Sequence, residues 1–170
     1  MENIILIGMP AAGKSTLGVL LAKEYGMDFV DSDLVLQRRE GRRLYEIMRD
    51  VGVDEFLRIE QEVLCSLELH HTVLATGGSA VYSERAMAHL REEGLCVYLH
   101  VSFAEWRRRL GNIRRRGVVL RDGDTLEDLY AERSVLYQRY ADLTVSMEHE
   151  SIEETVSRLI AALEMKIQTK

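Results

Sequence analysis

Proline is almost missing from this chain: it occurs once, at Pro10, and no internal repeat or low-complexity linker interrupts the 170 residues. Residues 1–170 therefore read as a single domain. Cysteine is nearly as scarce. Cys65 and Cys96 both sit inside apolar patterns, as buried thiols of a reducing cytoplasm do, which is a simpler reading than a disulfide or a metal site. No apolar run approaches the roughly 20 residues that span a bilayer. No basic segment precedes the first apolar run, so neither a membrane anchor nor a secretion leader is expected. Positive charge is outweighed, 22 Lys and Arg against 28 Asp and Glu, and a net charge of -6 argues against broad nucleic-acid binding. The expected setting is the cytoplasm, and the expected form a monomer.

Short apolar runs alternate with longer amphipathic ones. The pattern predicts strands at 3–8, 28–31, 72–76, 95–101 and 143–146. Helices are predicted at 14–25, 34–40, 44–50, 54–69, 83–93, 103–110, 126–140 and 152–165. Strands alternating with helices imply a parallel sheet covered on both faces, a three-layer α/β sandwich. The aperiodic stretch 111–124 holds Gly111, Gly117 and Gly123 among arginines and reads as a mobile flap. Arginines concentrate locally, Arg107 to Arg109 and then Arg114 to Arg116, either as a solvated face or as a surface that meets an anion. Trp106 reads as helix packing, and His70 and His71 as solvated residues at a helix end.

The stretch "GMPAAGKST", Gly8 to Thr16, lies between a predicted strand and a predicted helix. Gly8 and Gly13 allow backbone angles that let N–H groups turn inward around an anion. The helix behind them adds its dipole. The spacing is that of a phosphate loop, with Lys14 for the β- and γ-phosphates and the Ser15 hydroxyl for Mg²⁺. A nucleoside triphosphate, ATP, is the expected ligand, with Gly8, Ala11, Ala12, Gly13, Lys14, Ser15 and Thr16 as the contacting residues. A second carboxylate pair, Asp31 and Asp33, ends the second strand, where ligands gather in such folds. One of the two suits the metal and the other an acceptor hydroxyl, though Asp33 also fits a helix N-cap.

With these come "EGRRLYEI" at 40–47, Phe56 with Arg58-Ile59-Glu60, "TGGSAV" at 76–81 and "ERSVLYQRYAD" at 132–142. In this order the segments resemble the shikimate kinases over essentially the whole chain. The resemblance implies a nucleoside-monophosphate-kinase-like fold. Its five parallel strands run in the order 2-3-1-4-5, and a lid at about 111–124 closes over ATP. It implies phosphoryl transfer from ATP to a hydroxyl of a small carboxylate, a step in amino-acid biosynthesis. By position, Lys14 resembles the phosphate-binding lysine, with Ser15 and Asp31 at the metal. Asp33 resembles the residue at the acceptor hydroxyl, and Gly77 and Gly78 the turn that offers N–H groups to the acceptor. Arg109 resembles the arginine against adenine, Arg116 the lid arginine and Arg133 the carboxylate clamp.

Departures cluster in the acceptor half. Leu57 stands where the family has a second clamp arginine. Arg58 follows it, about 100° away around a helix, and is expected to serve only if the helix rotates. Ala75 replaces a residue that helps hold a metal-bound water, with Thr76 beside it. The glycine triplet reads Gly77-Gly78-Ser79, the lid reads Arg116-Gly117-Val118-Val119, and Ser134-Val135 follow Arg133 without the family's proline. Shikimate remains the family's own acceptor. A sister kinase for another hydroxy acid such as homoserine is the alternative, and a non-catalytic nucleotide-binding regulator is the second.

Overall fold

The computed structural model describes residues 3–110, 118–121, 123–147 and 151–168. In chain order the elements are β1 (Asn3–Ile7), α1 (Lys14–Tyr25), β2 (Asp28–Asp31), α2 (Ser32–Glu40), α3 (Leu44–Val51) and α4 (Val53–Cys65). They continue with β3 (Thr72–Ala75), a 3-10 turn (Ala80–Tyr82), α5 (Glu84–Glu93), β4 (Gly94–His100), α6 (Phe103–Leu110), α7 (Leu126–Tyr140), β5 (Leu143–Ser146) and α8 (Ile152–Gln168). The five strands form one parallel sheet in the order β2-β3-β1-β4-β5, which is the expected order. Each residue of the central β1 and β3 is buried, whereas the edge strands β2 and β5 are half-exposed. Such continuous apolar runs are what a sheet covered on both faces requires.

Two apolar clusters fill the molecule. The larger surrounds the sheet, from Ile4 through Trp106 to Leu163. The smaller lies under α2, α3 and α4 around Leu36, Ile47, Phe56, Ile59 and Val63, and is joined by Val119. Helix α1 lies close to the sheet at Gly18, where a Cβ would stand 2.6 Å from the Phe29 ring. Cys96 is buried, Cys65 half-buried, and both are free thiols, as expected. No helix among the described residues is long and apolar enough to cross a membrane.

Several element ends lie one to four residues from where the periodicity puts them, and two of these shifts have a visible cause. Helix α4 stops at Cys65 instead of Leu69, because the Ser66 hydroxyl donates to Val63 O at 2.7 Å and the Leu67 N–H reaches back to Leu64 O. Helix α2 begins at Ser32, since the cap is Asp31 and not Asp33. Asp31 Oδ1 accepts from the N–H groups of Asp33 at 3.0 Å and Leu34 at 3.4 Å. The Asp33 side chain is thereby spared for other work.

One buried polar residue gathers the end of the sheet opposite the site. Asn3 donates to Leu69 O at 3.0 Å and Glu93 O at 2.8 Å, and accepts from the Thr72 N–H at 2.9 Å. An unpaired buried group costs about 1–3 kcal/mol. Asn3→Ala should lower stability by about 2–3 kcal/mol and the melting temperature by roughly 5–10 °C, read from thermal melts. An unchanged melt would mean that water replaces the amide.

Candidate active site

Three loops meet at the carboxyl ends of β1, β2 and β3, and each was legible as a motif. The first is the phosphate loop. Gly8 has φ 147° and Gly13 φ 97°, and a Cβ on Gly8 would stand 2.7 Å from Leu99 O. Ala11 also sits at positive φ, 62°, a conformation that side chains disfavour. The loop is braced from below: the Trp106 indole, fully buried on α6, donates to Pro10 O at 2.8 Å. Trp106 packs as the sequence suggested, but the brace was not foreseen.

Lys14 opens α1 and is buried. Its Nζ donates to Gly8 O at 2.6 Å and Met9 O at 2.8 Å. An ammonium has three donors, so one remains for the cleft. Burial holds its pKa down at about 8 against the opposing pull of Asp33. Next to it the Ser15 hydroxyl donates to Asp31 Oδ2 at 2.6 Å. Among the described residues no group of three or more His, Cys, Asp or Glu could hold a metal by itself. A hydroxyl paired with one carboxylate nevertheless fits Mg²⁺, which uses one or two protein oxygens together with phosphates and water.

Asp33, in the first turn of α2, faces the same cleft. Burial, and then the neighbouring Asp31, push its carboxyl up to about 6, with Lys14 opposing. Between the two aspartates, the buried Ser32 hydroxyl accepts the Gly77 N–H at 3.0 Å. This fixes the glycine turn after β3 and corrects one expectation: the Gly77 N–H is already committed. What Gly77 supplies is space. A Cβ there would stand 2.7 Å from Asp33 Oδ1 and would collide with Glu60 Oε1. At Gly78 a Cβ would stand 3.1 Å from the Arg133 guanidinium. Thr76, beside the fully buried Ala75, donates its hydroxyl to Leu6 O at 2.9 Å.

Arg133 on α7 is fully buried. Its Nε donates to Tyr82 Oη at 3.2 Å, one terminal nitrogen donates to Val119 O at 2.7 Å, and the guanidinium lies 5.0 Å from the Tyr82 ring centre. Tyr82 in turn donates to Glu132, which pairs with Arg121 at 3.5 Å. No carboxylate pairs with Arg133 among the described residues. Lys14, Asp33, Gly77, Gly78, Glu60 and Arg133 line one cavity of about 410 Å³.

Two arginines lie elsewhere. Arg58 does not reach this cavity: it is half-exposed on α4 and turned outward by ion pairs to Glu55 and Glu62. No helix rotation brings it in. Arg109 bonds Glu105 at 2.6 Å and Met147 O at 3.3 Å. Arg108 shares Glu105 and Arg107 pairs with Glu127, so this half of the arginine run meets the chain's own carboxylates. Arg116, like 111–117 and 122 of the expected lid, lies outside the described residues.

Glu60 is the residue that motif reading undervalued. It is buried, and burial pushes its carboxyl up to about 7, eased by a hydrogen bond with Ser79. A signal for it existed. Phe56, Ile59, Glu60, Val63 and Leu64 form the buried stripe of α4, and a glutamate on such a stripe is out of place unless it serves a site.

Comparison with known proteins agrees with this geometry. A family model described as Shikimate kinase matches residues 10–164. The shikimate kinase of Thiobacillus denitrificans is 38% identical over 168 residues, 96% of this chain and 91% of that protein. That of Xylella fastidiosa is 34% identical over 164 residues, 95% and 91% of the two chains. Among solved structures, a shikimate kinase from Acinetobacter baumannii in complex with shikimate superposes with a TM-score of 0.87 at 28% identity, covering 100% of this chain and 96% of that one.

The buried carboxyls carry a stability signature. Glu60 titrates near 7 in the fold and near 4.5 when exposed. Its burial is therefore harmless below pH 4.5 and weakens the fold as pH climbs through 7. Glu60→Gln should raise the melting temperature by roughly 3–8 °C at pH 8 and by much less at pH 5. A lower melting temperature at pH 8 would show that the ionised carboxylate stabilises the fold.

Proposed function

This chain belongs to the shikimate kinase family and is an ATP-dependent small-molecule kinase; from that premise we propose that it moves the γ-phosphoryl group of ATP to a hydroxyl of a small carboxylate metabolite. The observation that carries this reading is the convergence of Lys14, Asp33 and an unpaired Arg133 on one glycine-lined cavity. A nucleotide-sensing regulator has use for Lys14 but none for Asp33 and a buried Arg133 on the same cavity, so catalysis is favoured.

The roles divide by chemistry. Backbone N–H groups of Gly8 to Thr16 and the third donor of Lys14 hold the phosphates and offset charge on the transferring group. Ser15 and Asp31 would hold Mg²⁺, which neutralises phosphate charge when bound. Asp33 takes the hydroxyl proton of the acceptor, and Arg133 holds the acceptor's carboxylate through charge-assisted bonds. Arg116 and the 111–124 lid complete the phosphate site, and Arg109 serves the nucleotide's base. Shikimate is the acceptor that the family's name suggests. Leu57 favours the second reading, a smaller hydroxy acid, because among the described residues one arginine, Arg133, lines the cavity and not two.

Lys14→Met should abolish turnover while melts remain cooperative. Asp33→Asn should lower kcat by about 10²–10⁴-fold with little change in ATP affinity, read by coupled ADP release. In the unmodified protein kcat/KM for the acceptor should fall as pH drops below about 6, because the base must be ionised. A flat profile, or an Asn variant with full kcat, would remove Asp33 from proton transfer.

A further inference from the structure

Glu60 and Arg133 present opposite charges to one cavity, and neither is paired. Glu60 is 4% exposed, and its Oε1 has no hydrogen-bond partner among the described residues. It points to the place above Gly77 where Asp33 Oδ1 also arrives. Arg133 is fully buried, and its guanidinium stands over the next residue, Gly78. Resting on the kinase reading above, we propose that the acceptor is a zwitterionic hydroxy amino acid, its carboxylate held by Arg133 and its ammonium by Glu60.

Among the described residues no cation forms an ion pair with Glu60. The residue one turn before it on α4 is Leu57, whose side chain borders an adjoining cavity of about 230 Å³ that shares the Glu60 and Ser79 wall. Arg58 borders that adjoining cavity as well, but its guanidinium is committed to Glu55 and Glu62. The charged groups that face Glu60 are Asp33 from α2, Lys14 from α1 and Arg133 from α7. Lys14 is held by Gly8 and Met9, and Arg133 by Tyr82 and Val119. A buried carboxylate that has a hydrogen bond with Ser79 but an Oε1 without a partner among the described residues is costly to ionise. A ligand ammonium placed there offsets that cost, and a ligand carboxylate at Arg133 does the same for the guanidinium. The Glu60 carboxyl and the Arg133 guanidinium border two adjacent backbone positions, Gly77 and Gly78, across which an α-amino acid would lie. Asp33, on the Glu60 side, is then free to meet the side-chain hydroxyl.

Acceptors taken in pairs that differ only by the amino group test this. L-homoserine is set against 4-hydroxybutanoate, L-threonine against 3-hydroxybutanoate and L-serine against 3-hydroxypropanoate, with shikimate as a further acceptor and ADP release as the readout. For the best pair, kcat/KM should favour the amino acid by about ten- to a hundredfold. Glu60→Gln should collapse that ratio toward one. Leu57→Arg, which brings a guanidinium to the same wall, should collapse it too and raise the use of shikimate. Ratios near or below one in every pair, or an unmodified enzyme that prefers shikimate, would overturn the ammonium site while leaving the kinase reading intact. An unchanged ratio in both variants would overturn the role of Glu60. Failure to release ADP with any acceptor would overturn the kinase reading and the proposal with it.

Discussion

Burial of Lys14, Asp33, Glu60 and Arg133 around one cavity imposes a cost that no ion pair between their side chains offsets. Desolvation opposes the charged forms of the first three, which is why the lysine is held low and the two carboxyls high. Much of the surrounding structure reads as the means of keeping such a cavity intact. The sheet supplies a rigid floor, and the backbone carbonyls of Gly8, Met9 and Val119 accept from the two cations. Ser32 pins the glycine turn, and Tyr137 donates to Gly78 O at 2.6 Å from the opposite side. Proteins commonly trade stability for reactivity in such places.

The two halves of the cavity solve different problems. In the proposed reading, the nucleotide is multiply anionic and meets mostly backbone, so glycines and one lysine suffice. The acceptor would be recognised by side chains on α2, α4 and α7 that are far apart in sequence. Their fit depends on the lengths and tilts of helices. The segment Val118–Val119 joins the two halves, because Val119 packs into the cluster under α2 to α4 while its carbonyl takes a bond from Arg133.

This division explains how much of the molecule was legible in the sequence. The alternation of strands and helices, the phosphate loop and the Asp31–Asp33 pair come from contiguous residues with strong local rules, whereas the strand order came only with the family resemblance. Helices α1, α6 and α7 begin and end where their periodicity places them. What escaped the sequence acts across long separations. Ser32 reaches Gly77, Trp106 reaches Pro10 and Tyr82 reaches Arg133. The cap at the head of α2 went to Asp31 because its extended backbone, and not that of Asp33, can turn a side chain back onto the first helical N–H groups. Whether Arg58 could replace the missing clamp was not legible, because a motif position says nothing of Glu55 and Glu62, which hold it on the outside of α4.

Trp106 is the chain's single tryptophan. Its ring is sealed from solvent and stands 5.7 Å from the Tyr130 ring centre, while its N–H is bonded to the phosphate loop. Indole emission is sensitive to that bond and to nearby rings. The fold has thus wired one intrinsic fluorophore to the glycine-rich loop after β1, free of background from any other indole. Changes in its intensity report the state of that loop directly, without a label and in real time.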